Sequence, residues 1–208
     1  MENIYKKSAP IVVISGPSGC GKSSVLKYVF DNTKDFYFSI STTTRTPRAG
    51  ETNGVEYWFS TKEEFENDIA QNQFLEYATV HGNYYGTSLK PVTKALNEGK
   101  IVIFDIDVQG FEIIKSKIGH LVTSIFITTP SQNELRTRLQ NRKTDTLEVI
   151  EKRLENAKKE INFIDKYDFL VINDDLQKAS EEVFHIVKAS TCKATLNDKK
   201  EFLKNWFE

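Results

Sequence analysis

Residues Gly16-Pro17-Ser18-Gly19-Cys20-Gly21-Lys22-Ser23 fit the pattern G-x-x-x-x-G-K-[ST] in full, just after an apolar run at 11–14 and just before a helical pattern. No other feature of the chain narrows its fold as far. Glycines let a backbone curl until successive N–H groups converge on phosphate oxygens, and the following helix adds its dipole. In such a loop Lys22 reaches the β and γ phosphates of a nucleoside triphosphate, with the Ser23 hydroxyl placed to ligate Mg²⁺ and Ser24 beside it. Cys20 fills a variable position and is expected as a small side chain under the loop, with no catalytic role.

The rest of the chain has the rhythm such a loop requires. Runs at 11–14, 101–104, 121–127 and 169–172 are rich in Ile, Val and Phe, as strands of a parallel sheet covered on both faces would be. Helical patterns at 22–31, 108–117, 131–139, 146–161 and 174–188 lie between and after them. Ser131 reads as an N-cap, with Glu134 at the capping-box position. Strand–helix alternation predicts an α/β fold with a parallel sheet flanked by helices.

Residues 36–88 break the rhythm. They hold short alternating stretches at 55–59 and 74–80, glycines at 50, 54, 82 and 86, and one helical pattern at 62–70, which predicts a small mixed α/β insert. Residues 140–146 carry no apolar side chain and read as a loop between two helices. The last residues, with Phe202, Leu203, Trp206 and Phe207, predict a helix docked on the body or on a partner. The expected organisation is a core of 1–35, 89–139 and 147–190, an insert of 36–88, a lid loop at 140–146 within a lid region of about 131–157, and a helical extension at 191–208.

Bulk composition mainly excludes. The 28 Lys plus Arg nearly balance 29 Asp plus Glu, for a formal charge of −1, which argues against a general nucleic-acid binder. Two Cys cannot build a disulfide framework, and no Cys/His spacing resembles a zinc site. The apolar runs are too short to cross a bilayer, and the first ten residues have no secretory or transit pattern, so a reduced cytoplasmic setting is expected. Only six of the basic residues are Arg, at 45, 48, 136, 138, 142 and 153. Because the planar guanidinium holds phosphate oxygens in pairs, this clustering in two segments points to anion contacts. Arg136 is expected to be solvated, since it points away from Arg138.

The phosphate loop, S-x-T-T-R-x-P-R-x-G-E at 41–51, F-L-E-Y at 74–77, G-N-Y-Y-G at 82–86, D-I-D-x-Q-G at 105–110 and V-I-N-D-D at 171–175 occur in one order. Together they resemble guanylate kinase over roughly residues 10–190. The resemblance implies a P-loop NTPase core, a GMP-binding insert and a lid, and Mg²⁺-dependent phosphoryl transfer from ATP to GMP. It places the acceptor-phosphate ligands at Arg45, Arg48, Tyr57 and Tyr85, and the guanine contacts at Ser41, Glu76, Thr87 and Asp107. It also places a water-mediated Mg²⁺ carboxylate at Asp105, lid arginines at Arg138 and Arg142 with Arg153 a further candidate, and Asn173 near adenine. The lid departs from the family's G-R-G, reading Asn141-Arg142-Lys143. Rival expectations are a kinase for another nucleoside monophosphate and a non-catalytic binding module; monomer and homodimer both stay open.

Chemistry agrees with the implied roles. Guanine offers N1–H and a 2-amino group side by side, and one carboxylate accepts from both, whereas adenine has an acceptor at N1. Strand alternation puts Glu76 on one face with Phe74, Ala78 and Val80, where an unpartnered carboxylate would cost several kcal/mol and a two-donor ligand would relieve it. The acceptor oxygen is already anionic, so no general base is sought among His81, His120 and His185. Charge neutralisation and positioning carry the catalysis.

Overall fold

The computed structural model describes residues 8–80, 82–141 and 145–208, so Arg142, Lys143 and His81 fall outside the described residues. The chain runs β1 (Ile11–Ser15), α1 (Lys22–Asn32) and β2 (Phe36–Phe38), then β3 (Thr42–Thr43), β4 (Trp58–Phe59), α2 (Lys62–Ala70), β5 (Phe74–Val80) and β6 (Asn83–Ser88). It continues through α3 (Leu89–Asn97), β7 (Ile101–Asp105), α4 (Val108–Ile118) and β8 (Val122–Thr128). The last elements are α5 (Gln132–Asn141), α6 (Leu147–Glu160), β9 (Phe169–Ile172), α7 (Leu176–Ser190) and α8 (Lys199–Phe207).

One sheet, ordered β2-β7-β1-β8-β9, is parallel throughout. Its inner strands alternate between two apolar faces, which is why they read as unbroken apolar runs. Val12, Ile14, Ile103 and Ile127 pack against α1, α5, α6 and α7, through Val25, Leu139, Leu154 and Val183 among others. Ile11, Val13, Phe104 and Phe126 pack on the other side against α3 and α4, through Val92, Phe111 and Ile114. Each such side chain contributes roughly 1.5–3 kcal/mol on burial, far more than the few tenths that separate helix propensities, so packing decides these elements.

Three features of the core differ from the expectation. The insert boundary at 36 falls inside the core sheet, because Phe36–Phe38 pairs in parallel with β7 and stacks Phe36 on Phe30 of α1. Coverage is also incomplete at the edge, where Phe169, Leu170 and Ile172 of β9 are 43, 47 and 46 % exposed. Helix α3 is not among the helices that periodicity singled out. Its Pro91 sits in the first turn, where the ring is tolerated, while Val92 and Ala95 are buried.

The second sheet is ordered β4-β3-β6-β5 and mixes parallel and antiparallel pairings, as expected of the insert. Helix α2 is closed by a capping box between Thr61 and Glu64 and seats Phe65 on Phe74 and Tyr84, with ring centroids at 4.1 and 5.1 Å. Only Trp58–Phe59 of the expected 55–59 stretch forms a strand, and Val55 is exposed. Leu75 joins the core cluster and its carbonyl accepts from Lys117 Nζ at 3.2 Å, which fastens the insert to α4. Helix α8 leaves Trp206 and Phe207 exposed.

Candidate active site

The phosphate loop leaves the sheet at the C-terminal end of β1, the central strand, which is where open α/β sheets place ligands. A Cβ on Gly16 would lie 1.9 Å from the Ile127 carbonyl oxygen, and φ there is +147°, so glycine alone fits. Gly21 is equally constrained, at φ +98°, since a Cβ there would lie 2.3 Å from Asn173 Nδ2. The Cys20 side chain is buried in the core, and burial raises its thiol pKa, in line with a supporting role for the side chain. Lys22 Nζ is folded back onto the loop, donating to the Gly16 carbonyl at 2.6 Å.

Lys22 and Ser23 face Asp105, Asp107 and Glu160 across a cavity of about 350 Å³. Burial pushes the carboxyl groups of Asp105 and Glu160 upward, and Lys22 partly offsets both shifts. Oxygen donors and a lysine at one end of a cleft suit a hard divalent cation beside a polyphosphate. Asp107 caps α4, its Oδ1 accepting from Gln109 and Gly110 N–H groups at 3.0 and 2.9 Å. Glu160, the last residue of α6, has no counterpart in the sequence expectations, since a single Glu at a helix end carries no motif.

A second cavity, of about 320 Å³, is lined by Gly21, Ser24, Arg138, Asn173 and Asp174. The resemblance sets Asn173 near adenine. Asn173 does line this cavity, but it is 2 % exposed and its Nδ2 donates to the Cys20 carbonyl at 2.8 Å, so the amide nitrogen is committed to supporting the loop. Arg138 Nε is held by Glu134 at 2.7 Å, while Ser131 accepts from the Glu134 N–H at 3.1 Å. Glu134 thus orients an arginine rather than closing the expected capping box. Arg153 reaches from α6 to the Ser18 hydroxyl of the loop and to Asp145. Arg136 is solvent-accessible, as expected, and also forks to Glu151, which ties α5 to α6.

The insert gathers the remaining residues. Arg45 lies over the rings of Tyr57 and Phe59, at 5.4 and 5.8 Å from their centroids, and Tyr57 meets Tyr85 edge-on at 5.9 Å. Glu51 accepts from Arg45 Nη2 at 2.8 and 2.9 Å. Arg48 is exposed, and its backbone N–H donates to Glu51 at 2.7 Å. Tyr84 and Tyr85 diverge: Tyr84 stacks on Phe65, while Tyr85 faces the arginine. The pairing of Thr42 with Gly86 sets Ser41 at the strand position next to Thr87.

Glu76 requires a correction. A register shift between Phe74 and Tyr77 buries Phe74 and Leu75 in succession, so simple alternation fails and Ala78 is exposed. Glu76 is neither isolated nor on an apolar face, because its Oε1 accepts from the Thr87 hydroxyl at 2.7 Å.

A family model described as guanylate kinase matches residues 8–190. The chain belongs to the guanylate kinase family. A guanylate kinase of Sulfurimonas denitrificans is 52 % identical over 200 residues, covering 96 % of this chain and 97 % of that protein. One of Helicobacter pylori is 48 % identical over 196 residues, covering 94 and 95 %. The crystal structure of guanylate kinase from Anaplasma phagocytophilum superposes with a TM-score of 0.73 at 29 % identity, covering 98 % of this chain and 97 % of that one. The P-loop-type α/β fold is therefore the family's. Among the described residues no helix is long and apolar enough to cross a membrane.

Proposed function

We propose that this guanylate kinase-family chain catalyses transfer of the ATP γ-phosphoryl group to GMP, giving ADP and GDP, with ATP and GMP as its substrates and a cytoplasmic setting. The observation that carries this reading is that one chain holds a phosphate loop on the core and a separate group of arginine, tyrosine and carboxylate side chains on the insert. A phosphate loop with Lys22 and Ser23 stands on the core, and the insert carries both an Arg45–Tyr57–Tyr85 group and a Glu76–Thr87 pair.

The donor triphosphate is held by the backbone of 16–21, by Lys22 and by the start of α1. Binding swings Lys22 Nζ from the Gly16 carbonyl to phosphate oxygens. Ser23 directly, and Asp105 through water, would hold Mg²⁺, which when bound neutralises phosphate charge. Arg45, Arg48, Tyr57 and Tyr85 hold the acceptor phosphate. Ser41, Glu76, Thr87 and Asp107 hold guanine, with the Glu76 carboxylate accepting from N1–H and the 2-amino group. Arg138, Arg142 and Arg153 bring positive charge from the lid, and Asn173 supports the loop beside the adenine side.

The nucleophile is an acceptor-phosphate oxygen that is already anionic, so its lone pair forms the new P–O bond and the electrons of the broken bond leave on ADP. Closure of insert and lid excludes water. Incubation with ATP and GMP should yield ADP and GDP in equal amounts. ADP with inorganic phosphate, and no GDP, would contradict the proposal.

A further inference from the structure

Resting on the acceptor site just proposed, we infer that Glu51 is a positioning residue that sets Arg45 for the GMP phosphate. One Glu51 carboxylate does two things at once. Both of its oxygens accept from Arg45 Nη2, at 2.8 and 2.9 Å, and Oε2 also accepts from the Arg48 N–H at 2.7 Å. The pair is largely shielded, with side chains 15 and 17 % exposed. Residues 45–51 are thereby closed into a loop around a charge-assisted contact, and both arginines leave from that loop.

The remaining Arg45 contacts fix the plane of the guanidinium. Nη1 donates to the Thr46 carbonyl at 2.7 Å, and the rings of Tyr57 and Phe59 lie beneath it. The Tyr85 hydroxyl is a further hydrogen-bond partner of the guanidinium, so of its five N–H donors at least one stays unspent. An arginine free in solvent samples many rotamers and loses that freedom on meeting a phosphate. Held by Glu51, Arg45 has already lost it. The carboxylate also lies between Arg45 and Arg48 in charge, which reduces their mutual repulsion before the phosphate arrives.

The opposite role is a carboxylate that occupies the phosphate's place and must be displaced. The two roles move affinity in opposite directions. Glu51→Gln, Glu51→Asp and Arg45→Lys should be titrated calorimetrically with GMP and with guanosine, which lacks the phosphate, alongside KM for GMP and for ATP. Positioning predicts that Glu51→Gln weakens GMP binding and raises its KM about 10-fold, with guanosine binding and the KM for ATP unchanged. Glu51→Asp, which keeps the charge, should recover part of the loss, and Glu51→Gln should add little in the Arg45→Lys background.

Tighter GMP binding in Glu51→Gln would overturn the proposal in favour of a displaced placeholder. Equal losses for GMP and guanosine would overturn it in favour of general loop support. If Arg45→Lys itself left GMP binding unchanged, the acceptor site, and not merely the role of Glu51, would be wrong.

Discussion

The Thr87 hydroxyl donates to Glu76 Oε1 at 2.7 Å across the β5–β6 pair. The hydroxyl leaves Glu76 Oε2 and the remaining lone pairs of Oε1 for a ligand, and it fixes the carboxylate's direction without neutralising it. A carboxylate so placed accepts from two adjacent donors, the edge that guanine presents.

Glu76→Gln replaces one acceptor with a donor that opposes guanine N1–H or the 2-amino group. One hydrogen bond to a charged group is lost, at about 1.5–3 kcal/mol, or roughly 10- to 100-fold in kcat/KM for GMP. ATP affinity, measured by direct titration, should stay the same. Equal losses for both nucleotides would make Glu76 structural.

Asn173→Ala removes the amide that holds the Cys20 carbonyl at a site with little access to water. A buried carbonyl left without its donor costs about 1–3 kcal/mol. The melting temperature should fall and the KM for ATP should rise, while the KM for GMP remains as in the wild type. A selective rise in the KM for GMP would refute the placement of Asn173 on the donor side.

Gly16→Ala sets a methyl group against the Ile127 carbonyl at a backbone angle that favours glycine. Relief requires the loop to move away from β8, at a cost of about 3 kcal/mol or more. The expected result is a melting temperature lower by about 6–12 °C for a chain of this size, with ATP binding lost. Wild-type stability would contradict the close approach.

Arg45 and the Arg48 N–H hold the Glu51 carboxyl below its ordinary value of 4.5. A depressed carboxylate adds stability that is fully present above its ordinary value and is lost as pH falls through the folded value. The wild type should therefore exceed Glu51→Gln in melting temperature at about pH 7, with the gap closing below about pH 4.5. A gap that widened on acidification would contradict the ion pair.

The phosphate loop was legible because its chemistry demands Gly and Lys at fixed spacing, and residues 16–23 stand where that spacing put them. The inner strands were legible because both of their faces are buried. Strand β2 was not, since its three half-buried aromatic residues share the composition of the insert that follows. The face of Glu76 was misread because a bulge shifts the two-residue period, and nothing in F-L-E-Y marks a bulge. Gly86 gives the only local hint: a Cβ there would lie 2.7 Å from the Glu76 carbonyl oxygen. Arg136 and Glu160 were obscure for a different reason. Their neighbours come from other elements, so no local pattern could pair Arg136 with Glu151 or set Glu160 beside Lys22.

Guanine selectivity is best measured by the initial rate of ADP formation from ATP with GMP, AMP, UMP or dTMP as acceptor, compared as kcat/KM. A carboxylate that accepts from two adjacent donors predicts GMP above AMP by about 10⁴-fold, because adenine has an acceptor at N1 and offers that carboxylate no matching pair of donors. Equal or better use of AMP would contradict it.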